Sequence, residues 1–288
     1  MRHASDYWKE KFGCKVYRIA INGGFTCPNR DGTLGTRGCI FCSAGGSGEF
    51  AGDPKRSVTE QIEEGKKRVS SKIRSGAYIA YFQAYTNTYA STDRLRELFT
   101  EAICHPDIVG LSVATRPDCL PGPVLTLLSE LNRIKPVSVE LGLQTSKEET
   151  ARYIRRGYPL SVYDDAVREL KSRGIEVITH VILGLPGETE VDMAETVRHA
   201  CLTGTDGIKL QLLHVLRGTD LYQEYLAGRV PVMELPEYIE VLKACLAVIP
   251  EHVVIHRLTG DGDKKLLVAP MWSADKKRVL NRIKKEIG

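Results

Sequence analysis

The chain of 288 residues lacks several features that mark whole classes of protein. No stretch reaches the roughly 18 uncharged apolar residues of a membrane span, and the opening MRHASDYWKEKFG has no apolar signal core. No Pro/Gly/Ser-rich linker or low-complexity segment divides the chain. We therefore expect a cytoplasmic protein with no membrane contact, where stable disulfides are rare.

The chain also lacks a strong charge of one sign. Its 40 Lys and Arg residues against 36 Asp and Glu leave a net charge of +4, too small to indicate nucleic acid by itself. Part of the excess is local, because the last thirteen residues contain six basic ones: Lys276, Lys277, Arg278, Arg282, Lys284 and Lys285. This run predicts a solvated helix face, with an RNA contact as the alternative.

The eight cysteines include only one closely spaced pair. Five stand apart and are expected to be small buried hydrophobes: Cys14, Cys104, Cys119, Cys201 and Cys245. The other three lie in CPNRDGTLGTRGCIFC, spaced C-x11-C-x2-C. Zinc usually takes four ligands in two short-spaced pairs, so three thiolates favour an iron–sulfur cluster with one iron open to another ligand. A zinc site that recruits His3 or Cys14 stays the alternative.

Six β-rich apolar runs alternate with amphipathic helical stretches, at 14–21, 77–83, 108–115, 137–144, 176–185 and 207–216. Runs such as VITHVIL are typical of parallel strands covered on both faces. The alternation predicts an α/β fold, either a barrel or an open doubly wound sheet. In a barrel, the cysteine stretch would lie at the carboxyl ends of the strands, where chemistry gathers. A further strand-like run at 252–258 and a C-terminal helix follow.

The stretch GGFTCPNRDGTLGTRGCIFC resembles the radical S-adenosylmethionine (SAM) superfamily, and its YhcC-like branch in particular, which is related to Elp3-like domains. The resemblance implies a partial (β/α)6 TIM-like barrel with short terminal extensions. It implies one domain over 1–288, with a core at about 14–250 and an extension at 251–288 over the barrel mouth. By the same resemblance, Cys27, Cys39 and Cys42 hold a [4Fe–4S] cluster whose fourth iron binds SAM, and Phe41 lies near the adenine.

The segments after the second and third strands extend the resemblance. FQAYTNTYA replaces the glycine-rich stretch that usually holds the SAM amino group, so Gln83, Thr86 and Asn87 are expected there, with an ordinary turn as the alternative. ATRPD resembles an element of Elp3-like proteins, in which Arg116 would contact a ligand.

The fourth and fifth strands carry further matching elements. VELGLQTSKEETARYIRRGY implies that Gln144 lies near the methionyl or ribose part of SAM and that Arg156 pairs with its carboxylate. HVILGLPGET places His180 at the ribose. Glu140 falls in mid-strand, where a carboxylate inside a barrel is either a ribose acceptor or half of an ion pair.

The resemblance implies reductive cleavage of SAM and hydrogen abstraction from a small organic substrate, with a one-electron donor such as flavodoxin or ferredoxin. The most specific candidate is a queuine lyase, which cleaves a modified nucleobase in base salvage. The alternatives are an Elp3-like enzyme that modifies tRNA or protein, and a structural zinc or iron–sulfur module without catalysis. Further residues expected near substrate, besides Arg116, are Asn29, Arg30, Asp31, His214, Asp261, Asp263 and Trp272.

Overall fold

The main sheet of the protein consists of parallel strands. The computed structural model describes residues 1–46, 48, 50–70, 76–260 and 262–288. Within them, the sheet strands, given in their order across the sheet, are β1 (Val16–Ile21), β2 (Ala77–Phe82), β3 (Ile108–Thr115), β4 (Val137–Gln144), β5 (Glu176–Leu183), β6 (Gly207–Leu212) and β8 (Val254–Arg257). Two short strands, β7 (Val215–Leu216) and β9 (Leu267–Ala269), form a separate antiparallel pair.

Helices connect the strands and cover the outside of the sheet. They are α1 (Ala4–Phe12), α2 (Val58–Val69), α3 (Thr92–Cys104), α4 (Gly122–Asn132), α5 (Glu148–Tyr153), α6 (Leu160–Ser172), α7 (Glu190–Thr203), α8 (Asp220–Leu226), α9 (Leu235–Ala247) and α10 (Lys276–Ile287). The main core joins strand residues such as Val139 and Val181 to helix residues such as Leu128 and Leu170. Burial on this outer face explains why every second residue of these strands is apolar.

The six expected strand–helix units are confirmed, and the further strand-like run expected at 252–258 joins the sheet as a seventh strand. The run at 252–258, which the prediction left in the C-terminal extension, contains β8 and pairs with β6 through the register Gly207↔Val254. This pairing satisfies the backbone groups along the otherwise open edge of β6. The run at 207–216 breaks into β6 and β7, and β7 leaves the sheet to pair with β9. The expected C-terminal helix is α10.

The sheet curls into a half-barrel with a polar lumen. The Arg18 guanidinium on β1 lies 3.2 Å from Nδ1 of His256 on β8, so the two edges face each other across the interior. No ladder joins β1 to β8 among the described strands. Helix α1 lies across the lower end, where Tyr7 and Lys11 both bond the Glu176 carboxylate at the start of β5. The upper end, at the carboxyl ends of the strands, receives the cysteine loop.

The helices of the described part of the chain include none with the length and apolar content to cross a bilayer. The expected cytoplasmic location and the expected lack of membrane contact stay predictions.

Candidate functional site

The cysteine loop is a folded structure held by its own backbone. The Arg30 amide donates to the Cys27 carbonyl at 2.8 Å, the Gly38 amide to Asn29 at 2.7 Å, and the Cys42 amide to Cys39 at 3.0 Å. The three cysteines line one cavity at the top of the half-barrel, here called the cysteine cavity. The long gap between Cys27 and Cys39 therefore does not separate them in space, because the loop returns on itself.

Side chains inside the gap stabilise this loop. The Asn29 amide donates to the Arg155 carbonyl at 2.8 Å and approaches Cys39 Sγ at 3.4 Å. The Arg30 guanidinium donates to the carbonyls of Cys42, at 3.0 Å, and Ser43, at 2.6 Å. Asp31 is exposed and accepts from the Thr33 amide at 3.0 Å. We interpret Asn29 and Arg30 as residues that position the loop, and Asp31 as a turn residue; their expected substrate contacts stay predictions.

The three thiols suit a cluster with one open iron. Soft thiolate ligands bind zinc and iron–sulfur clusters alike, and three of them in one cavity leave one iron of a [4Fe–4S] cluster free for another ligand. Burial, followed by the neighbouring Cys42, raises the pKa of the Cys39 thiol to about 11.

A glycine-rich segment after the last cysteine packs against the end of β2. Ala84 and Tyr85 have left-handed φ values of 88° and 59°, which cost about 1 kcal/mol or more each for residues other than glycine. A Cβ on Gly46 would lie 2.4 Å from the Tyr85 ring, and one on Gly48 would lie 2.4 Å from Cβ of Ala84. This close packing explains how a β2 end that lacks the usual glycines is accommodated. Strained backbone of this kind is typical of ligand sites.

Unsatisfied polar atoms in the same cavity indicate a ligand. Thr86 Oγ1 and Gln144 Oε1 are buried and have no hydrogen-bond partner in the described part of the chain, and both residues line the cysteine cavity. Gln144 also has a left-handed φ of 66°. Buried polar atoms without partners are rare, so these two fit the polar groups of SAM. Asn87 does not line the cysteine cavity, and its side-chain amide donates to the Ala114 carbonyl at 2.7 Å.

Arg156 holds the protein's own backbone. It is 2% exposed, and its guanidinium donates to the carbonyls of Tyr158 at 3.0 Å, Leu143 at 3.2 Å and Thr145 at 2.5 Å. A further bond of 3.3 Å reaches the Glu148 carboxylate. These bonds tie the end of β4 to α5. The expected contact with the SAM carboxylate stays a prediction, and the structure adds a structural role that the sequence did not indicate.

An ion cluster on the strands forms the floor below this cavity. Glu140 is 1% exposed, and its carboxylate accepts from Arg18 at 2.5 Å, Ser112 at 3.0 Å, His180 at 2.7 Å and Lys209. Burial alone would raise the pKa of Glu140, but Arg18 and Lys209 hold it well below its usual range. Of the two alternatives for Glu140, the structure shows the ion pair.

His180 connects this floor to the cavity above it. Its Nε2 bonds Glu140, and its Nδ1 lies 3.2 Å from the Gln211 amide nitrogen. The network assigns a neutral ring that donates through Nε2 and accepts through Nδ1. Burial and the nearby Lys209 lower the pKa of His180 to about 4. The expected ribose contact stays a prediction.

A second cavity, here called the lumen cavity, lies beside the cysteine cavity. It measures about 210 Å³, below the roughly 300–1,000 Å³ typical of drug-sized pockets, so it suits a small ligand. Aromatic rings and cationic or imidazole side chains face it: Phe41, Phe50, Tyr81, Lys209, Arg257, His180 and His214. Five residues line both cavities, namely Phe41, Tyr81, Gln83, Gln144 and His180.

The remaining expected substrate residues fall in different places. Arg116 lines the cysteine cavity and forms a two-point ion pair with Asp118, at 2.9 and 2.7 Å. His214 lines the lumen cavity. Asp263 accepts from the Lys265 amide at 2.9 Å and thereby stabilises a turn. The last two expected substrate residues are Trp272 and Asp261, and of these the described residues include Trp272.

Trp272 is a packing residue. Its Nε1 donates to the Met233 carbonyl at 2.9 Å, and its ring lies against Tyr238 with a centroid distance of 5.6 Å. It lines neither the cysteine cavity nor the lumen cavity. The structure therefore does not bring the Trp272 side chain to either cavity, because its ring and its NH both have partners in the protein. Asp261 lies outside the described residues.

The sequence did not identify the cations of the floor. Arg18 and Lys209 each stand in a largely apolar strand, VYRIAI and GIKLQL, and Arg257 ends the strand VIHR. A charge inside a buried strand requires a partner, so these residues carried a usable signal. Lys209 and Gln211 are two positions apart and therefore share the inner face.

Comparisons with known proteins agree with this geometry. A family model described as the radical SAM superfamily matches residues 30–200, and a model described as the radical SAM C-terminal domain matches 205–288. YtqA of Bacillus subtilis is 44% identical over 97% of this chain and 87% of its own length. YhcC of Escherichia coli K12 is 38% identical over 91% of this chain and 84% of its own length.

Among solved structures, an N-terminally truncated Elp3 from the archaeon Methanocaldococcus infernus superposes with a TM-score of 0.68 at 17% identity. The match covers 94% of this chain and 63% of the Elp3 chain. At that identity the likeness is one of fold.

Proposed function

The chain belongs to the radical SAM superfamily, whose members use a [4Fe–4S] cluster and SAM, and we propose that it removes a hydrogen atom from a small organic substrate in the lumen cavity. One observation carries this proposal. The cavity lined by the three cysteines shares five wall residues with the lumen cavity, so a substrate there would adjoin SAM directly.

The chain's own residues would bind and orient the reactants. When bound, the cluster and SAM supply one-electron cleavage of a carbon–sulfur bond and the abstraction of hydrogen from a substrate carbon. We propose that Cys27, Cys39 and Cys42 hold the cluster, while Thr86 and Gln144 direct their unsatisfied oxygens toward SAM. The apolar and aromatic walls exclude water and competing hydrogen donors. Abstraction requires no general base, so the neutral His180 need not move a proton.

Anaerobic reconstitution followed by an assay for 5′-deoxyadenosine tests this function. We expect dithionite-dependent 5′-deoxyadenosine from protein that carries the cluster. Protein that binds the cluster and SAM but yields no 5′-deoxyadenosine would contradict the proposal and would support a structural module.

The most specific candidate reaction is that of a queuine lyase. The aromatic rings of Phe41, Phe50 and Tyr81 around a small cavity support a flat base as ligand. We propose an anaerobic assay with dithionite, SAM and queuine, in which loss of queuine is followed by mass spectrometry. Cleavage of guanine-type bases without the queuine side chain, or no cleavage of queuine, would contradict this candidate.

A tRNA-modifying enzyme is the second candidate, and helix α10 favours it. The basic residues Lys276, Lys277, Arg278, Arg282, Lys284 and Lys285 are exposed on this helix, while Val279 and Ile283 anchor it in the core. Exposed basic residues on one helix are suited to phosphates, and binding of this kind weakens steeply with salt. Replacement of Lys277, Arg278 and Lys284 by Gln should weaken tRNA binding if this candidate holds, and should leave base binding unchanged if the substrate is small.

The one-electron donor would approach from outside the cysteine loop. A groove there is lined by Leu34, Arg37, Arg152 and Arg155, and the Arg155 carbonyl lies 3.5 Å from Cys39 Sγ. A partner seated in the groove would thus be separated from a cluster ligand by a single residue. Arg37 and Arg155 share one carboxylate, that of Asp220. We propose an acidic donor of the flavodoxin or ferredoxin kind for this surface.

A further inference from the structure

A line of hydrogen bonds runs from the floor to the wall of the lumen cavity. It begins at the Glu140 carboxylate, which lies 2.7 Å from Nε2 of His180. Nδ1 of the same ring lies 3.2 Å from the side-chain amide nitrogen of Gln211, which lines the lumen cavity. The line thus joins three neighbouring strands, β4, β5 and β6.

The carboxylate fixes the direction of every bond in this line. Against the effect of burial, Arg18 and Lys209 hold the pKa of Glu140 well below its usual range, so its ionised carboxylate can only accept. Nε2 of His180 must therefore donate. Since the ring is neutral, its single proton lies on Nε2, and Nδ1 must accept. Gln211 consequently turns its NH2 group to His180, and the end of the amide that is turned away from the ring is the oxygen, Oε1.

The Gln211 oxygen has no protein donor in the described part of the chain. The hydrogen bond of the Gln211 side chain there is the one to His180, and the next residues of the cavity wall, Leu212 and Leu213, are apolar. A ligand that fills the cavity would displace water from this oxygen. A ligand without a donor would leave the acceptor unpaired, which weakens binding by about tenfold or more. A polar group held in one orientation therefore selects between ligands of the same shape.

We infer that Gln211 selects the substrate of the lumen cavity by accepting a hydrogen bond from an N–H or O–H group of that substrate. His180 is a positioning residue, because it holds the Gln211 amide in the orientation that turns the oxygen to the ligand. The inference deepens the proposed function and rests on it, because it takes the lumen cavity as the substrate site. With the rings of Phe41 and Tyr81 in the same walls, it names the class of substrate: a flat molecule with a polar N–H or O–H group.

Three bicyclic probes of nearly the same shape test the inference. Indole has an N–H donor, benzofuran has an acceptor oxygen at the same position, and indene has a CH2 group there. Each probe is titrated by calorimetry into the reconstituted holoprotein with SAM and without reductant, so that SAM occupies its own site. We expect indole to bind about tenfold more tightly than the other two. The inference is overturned if benzofuran or indene binds as tightly as indole, or if none of the three binds.

Variants of Gln211 assign the preference to its amide. Gln211→Met keeps a side chain of similar length and removes the amide, so the preference for indole should be lost. Gln211→Leu has the same expected result and replaces Gln211→Met if that variant does not fold. A preference for indole that survives the loss of the amide would overturn the inference.

Two controls separate Gln211 from other polar groups. Gln223→Met makes the same change at an exposed position of α8 that lines neither cavity, and should keep the preference. Asp261 follows a glycine of the cavity wall in the sequence and lies outside the described residues. Asp261→Asn should also keep the preference, and a loss in this variant would contradict the assignment to Gln211.

His180→Phe tests the positioning role. The variant keeps a ring and removes the nitrogen that holds the Gln211 NH2 group, so the amide can turn over and donate to the oxygen of benzofuran. We expect the ratio of indole affinity to benzofuran affinity to fall severalfold. A purely structural role of His180 would weaken both probes equally, so an unchanged ratio would contradict the positioning role.

Formation of 5′-deoxyadenosine by the wild type without any probe tests the proposed function separately. A protein that forms 5′-deoxyadenosine but does not prefer indole would disprove the inference alone. A protein that prefers indole but forms no 5′-deoxyadenosine would contradict the proposed function alone.

Discussion

The two ends of the site are built in opposite ways. The cysteine loop is irregular backbone that is bonded to itself and carries soft sulfur ligands. The floor is regular strand backbone that carries charged side chains bonded to one another around Glu140. A loop that wraps an inorganic cluster requires close backbone turns, whereas a floor below a reactive site requires fixed side chains. The loop therefore serves binding of the cofactor, and the floor serves stability of the barrel.

This separation has a consequence for substitutions. A change in the loop should remove the cofactor and leave the barrel folded, because few core contacts depend on the thiols. A change in the floor should weaken the barrel itself, because the bonded side chains of the floor come from strands β1, β3, β4, β5 and β6. The following predictions test that contrast, from the largest expected effect to the smallest.

The largest effect is expected in the cysteine loop. Cys27→Ala, Cys39→Ala and Cys42→Ala should each abolish the cluster, since a site with three thiolate ligands has none to spare. Iron content and the visible absorption of the reconstituted protein measure the loss. Cys14→Ala is the matched control, because Cys14 lines neither cavity, and should keep the cluster. The contrast fails if Cys14→Ala loses the cluster as well.

The next effect is expected in the floor. Glu140→Gln removes the negative charge that pairs with both Arg18 and Lys209. Both of these side chains then lose their shared carboxylate partner. Removal of one partner from a buried ion pair typically costs about 3–5 kcal/mol. Urea unfolding of the apoprotein measures the free energy of unfolding.

Glu130→Gln is the control for the floor. Its carboxylate pairs with Arg96 at 2.7 Å, and both side chains are about half exposed. Exposed pairs of this kind contribute about 0–1 kcal/mol. Equal losses in Glu140→Gln and Glu130→Gln would contradict the view that the floor stabilises the barrel.

Acid should act on the floor through His180. Its pKa is lowered to about 4 in the folded protein, against about 6.5 in the unfolded chain. The unfolded chain then binds more protons between these values, so the free energy of unfolding falls as the pH drops from 6.5 to 4. The difference of about 2.5 pKa units, at about 1.36 kcal/mol each, corresponds to at most about 3.4 kcal/mol. His180→Gln should flatten that part of the pH profile, and identical slopes for wild type and variant would contradict the assignment.

The same contrast explains what the sequence could reveal. Cys27, Cys39 and Cys42 lie in sixteen consecutive residues, so their pattern is visible before any fold is known. Arg18 and Lys209 lie 191 residues apart, and only the curl of the sheet brings both to Glu140. The alternation of strands and helices predicted the α/β fold, but it could not predict which strand neighbours would share a carboxylate.

Residues whose side chains suit two kinds of partner were the hardest to assign from the sequence. The sequence placed Arg156 at a ligand carboxylate, and the structure shows its guanidinium on three backbone carbonyls. A guanidinium suits either partner, and the carbonyls it meets depend on the turn after β4. Trp272 likewise satisfied the sequence criterion of a flat ring near the mouth, and its ring packs in the core. Such assignments depend on tertiary contacts that a motif does not contain.

The smallest effect is expected on the outer surface of the loop. Arg152→Glu reverses an exposed charge in the groove next to Cys39. Surface charges change encounter rates more than stability, and their effect fades with salt. We expect the ratio of flavodoxin-driven to dithionite-driven 5′-deoxyadenosine formation to fall severalfold at low salt and to recover at high salt.

Lys243→Glu, the same reversal on α9, is the control for the groove and should leave that ratio unchanged. A ratio that falls equally in both variants would show that overall charge, and not the groove, guides the donor. A fall only in Arg152→Glu would mean that electrons enter through the loop, on the side away from the ion floor. The two ends of the site would then differ in what enters through them as well as in construction. The electron would enter through the loop, and the substrate would enter through the lumen.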